Sequence, residues 1–451
     1  MRPGSDSVRL ALLESLPEGA ELCVAFSGGR DSTVLLHALA RLRKERRFTL
    51  RAVHVDHGIQ AAARDWAAHC VATAARLAVP CEAVPVTVRN DRGKGLEAEA
   101  REARYGALRQ LLRPGEWLLT AHHADDQLET VLLHLLRGSG VSGLAGIPRD
   151  TAFGPGRLRR PLLDVSAESL AAYARELLAP GGLGWLTDPM NADVAYDRGF
   201  VRHEVAPVLR RRFPAAAGAI GRTAALAGEA AGLLEELARA DARDGVVAHR
   251  VSLAAIRGLG PARQRNLVRV LARDRGWATP PERRLREGLA QLLAAAPGRQ
   301  PVLAWGGHEI RRFREHLHLL DVAVPAPGAP ALPAPWHDGQ RLNLGGIRGE
   351  LDLQRGAGAG GLDPGVVADG LEVVFRSGGE RVRPGSDRHH RTLKYLFQSR
   401  GIVPWMRGHV PLVFVCGQLA AVADIWIADW AAAAPGDAGL QIVWTGHAPI
   451  W

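Results

Sequence analysis

Glu21-Leu22-Cys23-Val24-Ala25-Phe26-Ser27-Gly28-Gly29-Arg30-Asp31-Ser32-Thr33-Val34-Leu35-Leu36-His37-Ala38-Leu39 is the stretch whose reading decides the fold. Its first residues are a short apolar run, the mark of a strand buried on both faces, and Val34, Leu35, Ala38 and Leu39 recur at helical spacing. Between the two, Ser27 to Ser32 must turn the chain tightly. Two glycines permit that turn and let backbone N–H groups approach an anion, while the start of the following helix adds partial positive charge. A bare Gly-Gly would be an ordinary connection. Here the order strand, loop, helix makes the loop a candidate phosphate site. It lacks the Gly-Lys-[Ser/Thr] ending whose lysine reaches terminal phosphates, so it favours holding a pyrophosphate and leaving the α-phosphate open.

Working outward, apolar runs at Leu50–Val55, Cys81–Val88 and Glu116–Ala121 are each followed by a helical pattern. Repeated strand–helix units predict a doubly wound parallel sheet, and the α/β domain they form is expected to span residues 1–204. The Ala-, Leu- and Arg-rich residues 205–323 predict a helical domain, residues 324–335 a Pro/Ala linker, and residues 336–451 a small α+β domain with a helix near Arg391–Ser399. Pro411 to Ala428, the longest apolar stretch, is interrupted by Gly417, Gln418 and Asp424 and reads as two strands around a turn rather than a membrane span.

With 451 residues, of which 47% are hydrophobic, the chain has material for more than one core. No apolar run follows the first residues, so no secretory leader is expected and the cytoplasm is the predicted location. Cys23, Cys70, Cys81 and Cys416 form no Cys-x-x-Cys pair, which argues against zinc or iron–sulfur binding and predicts buried free thiols. A net charge of +10 suits a polyanionic partner such as nucleic acid. Only Lys44, Lys94 and Lys394 among the 57 basic residues are lysines, a bias that GC-rich coding explains without function.

The second and fourth strands end in polar residues, where open α/β sheets bind ligands. Asp56 and His57 are candidates to line a nucleotide pocket. His122-His123-Ala124-Asp125-Asp126-Gln127-Leu128-Glu129-Thr130 opens a helix on which Asp126 and Glu129 share one face, able to receive a cationic amine or a metal. Acidic residues also cap first turns, but capping alone does not require two histidines and two carboxylates together.

Ser27-Gly28-Gly29-Arg30-Asp31-Ser32 resembles the pyrophosphate loop (PP-loop) of N-type ATP pyrophosphatases. The run from His122 to Thr130, with Leu136-Arg137-Gly138-Ser139-Gly140, Gly143-Leu144-Ala145-Gly146-Ile147-Pro148, Glu97–Arg101, Arg104-Tyr105, Arg160–Leu163 and Asp188–Asn191, resembles the signature of tRNA(Ile)-lysidine synthases. Leu393–Phe397 and Pro404–Arg407 are similar to that family's C-terminal pattern. Two departures stand out: Gly199 in Arg198-Gly199-Phe200-Val201-Arg202, where the family usually has Asn, and Met190, where serine is more usual.

The resemblance implies an enzyme that uses ATP and Mg²⁺ to adenylate the wobble cytidine of tRNA(Ile) with a CAU anticodon, with the ε-amine of free L-lysine as acceptor. By matching positions, Ser27, Gly28, Gly29, Arg30, Asp31 and Ser32 hold ATP, Asp31 also the metal, and Asp126 and Glu129 the lysine ammonium. Arg202 is a candidate for phosphate or adenylate charge, and His122 or His123 for taking the amine's proton. Arg381, Arg383, Lys394 and Arg407 stand among aromatic residues suited to tRNA contact. A homodimer is compatible with the resemblance. The rival readings are another tRNA-modifying enzyme on the same loop, such as a thiolase or amidating synthetase, and a catalytically silent RNA-binding protein.

Overall fold

The computed structural model describes residues 3–56, 63–88, 96–178, 182–187, 194, 196–296, 298–322, 334–359, 361–368, 370–385 and 389–451. The chain divides into two compact units, the first ending at Glu236 and the second beginning at Leu237. No helix among the described residues is long and apolar enough to cross a membrane.

In the first unit the elements run α1 (Pro3–Ser15), β1 (Glu21–Ala25), α2 (Arg30–Leu42), β2 (Thr49–Asp56), α3 (Ala63–Arg76), β3 (Cys81–Pro85), α4 (Leu96–Leu111), β4 (Trp117–Leu119) and α5 (Ala124–Leu136). There follow α6 (Val141–Leu144), β5 (Asp150–Phe153), β6 (Gly156–Arg159), α7 (Ala167–Leu177), α8 (Asp197–Phe200), a π-helical turn over Val201–Val205, α9 (Ala206–Arg212) and α10 (Ala216–Ala242), whose last six residues belong to the second unit. The sheet order is β3-β2-β1-β4-β6-β5. The pairs β2/β3, β1/β2, β1/β4 and β4/β6 are parallel, as the apolar runs predict, and only the β5/β6 hairpin is antiparallel.

Alternation along the strands feeds two cores. Leu22 and Val24 of β1 face a layer with Leu12 of α1, Leu35 and Leu39 of α2, Ala74 of α3 and Leu170 of α7. Cys23, Val53, Val55 and Leu118 face the other way, onto Leu108 of α4 and Phe153. β2 and β3 lie to one side of β1 and β4 to the other, so chain direction across the sheet switches between β1 and β4. That switch leaves a crevice beyond the strands' carboxyl ends.

In the second unit the segment read as helical holds helices Leu253–Arg257, Pro261–Asp274 and Glu282–Ala294, and also a five-stranded antiparallel sheet. Its strands include Arg250–Ser252, Val302–Trp305, His308–Phe313 and His316–Asp321. They carry arginine and histidine between their apolar residues and are too short to show in composition. Residues 324–333 of the expected linker lie outside the described residues. Ala334 and Pro335 belong to an edge strand, Ala334–Trp336, paired with Leu371–Val373, and an edge tolerates a proline without an N–H.

The helix expected near Arg391–Ser399 is Leu393–Arg400, beside a shorter one over Pro364–Ala368, and Pro411–Val415 pairs with Gln418–Val422 as a hairpin. Cys416 and Gly417 form its turn, with φ of 46° and 76°. Cys416 is exposed there and Cys81 is intermediate, a correction to the expectation of burial, while Cys23 and Cys70 are buried. A tight hairpin turn puts its own residues in solvent.

Candidate active site

A cavity of about 650 Å³ opens at the crevice and is lined by the loop after β1, by Val53–Val55 of β2, by α4, and by Thr120, Ala121 and His122 after β4. Gly28 turns the loop with φ +77°, a conformation open to glycine, and a side chain added there would meet Cys70 Sγ at 2.7 Å. Gly29 caps α2 in an extended conformation. Ser32 Oγ donates to the Gly29 carbonyl at 2.9 Å and lies 3.0 Å from Ser27 Oγ, so the two hydroxyls brace the loop. The Leu186 N–H donates to the Gly28 carbonyl at 2.9 Å and ties the loop to the segment that closes the cavity. Ser27, Gly29, Arg30, Asp31 and Ser32 all line the cavity.

Asp31 receives the Arg30 Nε hydrogen bond at 2.8 Å and faces His123 Nε2 at 3.6 Å. Burial works against its charge, but His123 and Arg30 outweigh burial and hold the carboxyl down to about 2. His123 caps α5: its Nδ1 accepts the Asp125 N–H at 3.2 Å, while its own N–H donates to Asp126 Oδ2 at 3.0 Å. With Nδ1 accepting, the ring proton sits on Nε2, which faces both Asp31 and Asp126 at 3.6 Å. Burial disfavours a charged ring, yet those carboxylates and Asp125 raise its basicity. His123 therefore links the phosphate loop to α5. His122 lines the cavity and its Nδ1 shares a 2.8 Å hydrogen bond with Thr120 Oγ1. Burial, with Arg160, Arg101 and Arg198 nearby, drives His122 well below its ordinary value against the pull of Asp126.

Asp126 and Glu129 share a face of α5, both buried, and are bridged by two arginines. Arg198 donates to Glu129 Oε2 at 2.9 Å and to Asp126 Oδ1 at 2.8 Å. Arg202 donates to both oxygens of Glu129, at 2.7 and 2.8 Å, and to Asp126 Oδ1 at 3.3 Å. Burial disfavours the Asp126 carboxylate, but His123, His122 and Arg198 keep its pKa low. The arginines stand four apart and flank the start of the π-helical turn, a distortion that often marks functional segments. Arg202, a candidate for phosphate contact, is paired with the acidic face in this structure. Asp125 accepts the Ala167 N–H at 2.7 Å and pairs with Arg210, a structural role at the start of α7.

Asp56 ends β2, where the lining of the cavity stops at Val55. His57 lies outside the described residues, as does Asp188–Asn191. Of the candidates for tRNA contact, Arg381 and Lys394 are exposed, Arg383 pairs with Asp429, and Arg407 donates to the Ile402 carbonyl at 2.9 Å. All four belong to the second unit. Arg198 is a partner of the acidic face that the sequence did not lead us to expect. The legible signal was two carboxylates three apart on one helix and two arginines four apart on another.

Fold and loop together define a PP-loop nucleotide domain, and residues 6–209 match the family described as PP-loop domain. Residues 252–318 match the TilS substrate binding domain and residues 371–444 the TilS substrate C-terminal domain. The tRNA(Ile)-lysidine synthase of Alkalilimnicola ehrlichii is 46% identical over 95% of this chain and 94% of its own. That of Methylococcus capsulatus is 39% identical over 99% and 100%, and that of Nitrosomonas europaea 38% over 94% and 92%. The chain belongs to the tRNA(Ile)-lysidine synthase family and is an ATP-dependent ligase.

Proposed function

We propose that this chain adenylates the 2-carbonyl oxygen of the wobble cytidine in tRNA(Ile) with a CAU anticodon, and that the ε-amine of free L-lysine then displaces AMP to give lysidine. The observation that carries the reading is one cavity lined by a phosphate loop, by an ionised Asp31 and by an acidic residue of α5, Asp126, which is bridged to Glu129. A carbonyl oxygen is a poor leaving group until AMP is joined to it, so the first step needs a bound nucleotide with its α-phosphorus accessible. The loop supports this by cradling the pyrophosphate with backbone N–H groups and the α2 dipole.

Asp31 fits a magnesium ligand: it is an oxygen donor held ionised, and Mg²⁺ typically takes one or two carboxylates together with substrate phosphates and water. Bound there, the ion would neutralise charge on departing pyrophosphate. In the second step the carboxylates of Asp126 and Glu129 receive the lysine ammonium, which requires an arginine to yield a place. Arg202 and Arg198 line the same cavity and would be free to meet phosphate oxygens when they do so. The ammonium loses a proton before it attacks C2. His122 faces the cavity as a neutral imidazole that burial makes a weak base, so it would hand that proton on toward solvent rather than keep it, while the His123 ring is held between carboxylates and positions them.

The second unit supplies the remaining tRNA contacts in this reading, through residues such as Lys394. The domain limits 1–204, 205–323 and 336–451, cytoplasmic location and the homodimer remain parts of the proposal. The test is incorporation of radiolabelled lysine into tRNA(Ile) bearing an unmodified CAU anticodon, with cysteine and ammonium as competing donors. Incorporation of lysine alone, dependent on ATP and Mg²⁺, is expected. Transfer of sulfur or ammonia instead would move the chain to a different acceptor chemistry.

A further inference from the structure

The two walls of the cavity treat positive charge differently. Arg198 and Arg202 are matched by buried carboxylates, whereas Arg101 and Arg104 on α4 are not. Both line the cavity, and both stand over the Tyr105 ring, with their guanidinium carbons 4.9 and 5.5 Å from its centre. Arg101 Nη2 also donates to the Tyr105 hydroxyl at 3.4 Å. Behind them, Arg160 is only 6% exposed, donates to the Pro148 carbonyl at 2.6 Å and has no hydrogen-bond partner at Nε. Among the described residues no carboxylate pairs with Arg101, Arg104 or Arg160. Guanidinium groups held against a ring at a cavity wall, with no carboxylate beside them among the described residues, have the chemistry to receive an anion.

The phosphate loop is served from the other side. α2 packs on one face of the sheet and α4 on the opposite face, so the loop at the start of α2 and the arginines of α4 line the cavity from elements on different faces. A nucleotide seated on the loop leaves this wall to the second substrate. A base that enters an enclosed cavity leaves its stack and carries its flanking phosphates with it, and those remain at the mouth. Arg101 is exposed and Arg104 half-buried, the gradient a backbone phosphate at the mouth would meet.

We propose that Arg101 and Arg104 grip a phosphodiester of the RNA acceptor beside the nucleotide being activated. This rests on the proposed RNA substrate and adds to it a seating site inside the catalytic unit. The contact orients the base toward the α-phosphorus, so its loss acts on RNA and leaves the handling of ATP and lysine intact.

The test uses the full-length enzyme and tRNA(Ile) carrying one uncharged methylphosphonate linkage on either side of the wobble cytidine. Arg101→Gln with Arg104→Gln is expected to raise the KM for tRNA about ten-fold or more, with the KM for ATP and for lysine unchanged. The log–log salt dependence of tRNA binding should weaken by about one per lost phosphate contact. One of the two methylphosphonate linkages should cost the unaltered enzyme a similar factor and cost the double variant little further. Independent, additive losses would overturn the proposal, as would a rise in the KM for lysine, which would assign the arginines to the amino-acid carboxylate, or in that for ATP. If the double variant does not fold, the unaltered enzyme decides: indifference to both neutral linkages refutes the contact. An unaltered enzyme that incorporates no lysine would sink the functional reading itself, a result distinct from an active enzyme indifferent to these arginines.

Discussion

Arg202→Met is the substitution whose consequence the structure sets most tightly. Glu129 is 2% exposed and takes two hydrogen bonds from Arg202 and one from Arg198. Removing one partner of a buried ion pair costs about 3–5 kcal/mol when the remaining charge is left alone. Here Arg198 still holds Glu129 Oε2, and about a third of the Arg202 side chain is in solvent, so a loss of about 2–3 kcal/mol is expected. For a unit of this size that is a fall in melting temperature of about 5–10 °C. Glu129→Gln should cost a similar amount, because it leaves two guanidinium groups against a neutral amide.

The informative measurement is the double variant, since the two losses describe one interaction. Urea unfolding of the four proteins, followed by circular dichroism, should give a double variant about as stable as either single one, with a coupling energy of about 2 kcal/mol. Strict additivity would refute the claim that these side chains are energetically joined. The same proteins in steady-state assays should show Glu129→Gln raising the requirement for lysine far more than that for ATP.

Gly28→Ala should abolish ATP-dependent turnover, because φ +77° strains the backbone and the new carbon meets Cys70 Sγ at 2.7 Å. Adding Cys70→Ala relieves the contact and not the dihedral, so only partial recovery is expected, and full activity in the single variant would contradict the loop geometry. Asp31→Ala should abolish adenylation, read as pyrophosphate release, while tRNA binding in a filter assay survives; unchanged turnover would remove its metal role. His318, buried against Trp405 and beside His249, His316 and Arg250, is pushed down to about 3 by burial and those neighbours. The folded state therefore binds fewer protons than the unfolded one, whose histidine titrates near 6.5, so the contribution is complete above that pH and is lost as pH falls toward about 3. At about pH 4.5 this is on the order of 2–3 kcal/mol, and His318→Leu should flatten that part of the stability–pH curve; an unchanged slope would count against it.

Local periodicity made the catalytic unit legible. Apolar runs bounded by helical patterns predicted β1 to β4 in parallel, because buried strands have no polar face to alternate. The loop from Ser27 to Ser32 and the acidic face of α5 were visible for the same reason, their groups lying within one turn of chain. The β5/β6 hairpin and the short strands around Arg250 and His308 were not, since runs so brief carry charge and acquire apolar character only by packing.

By itself, then, the sequence determined the strand–loop–helix unit, the nucleotide loop and the pairing of Asp126 with Glu129 on one helix face, because each depends on neighbours a few residues apart. Tertiary structure alone decided that Arg198 and Arg202 occupy that face, some 70 residues away, that His123 bridges Asp31 to α5, and that Arg101 and Arg104 line the same cavity with no carboxylate paired to them among the described residues. Those outcomes depend on which strand lies beside which. The strand order places the ends of β1 and β4 together and wraps the later helices over them, and no local pattern encodes that distance.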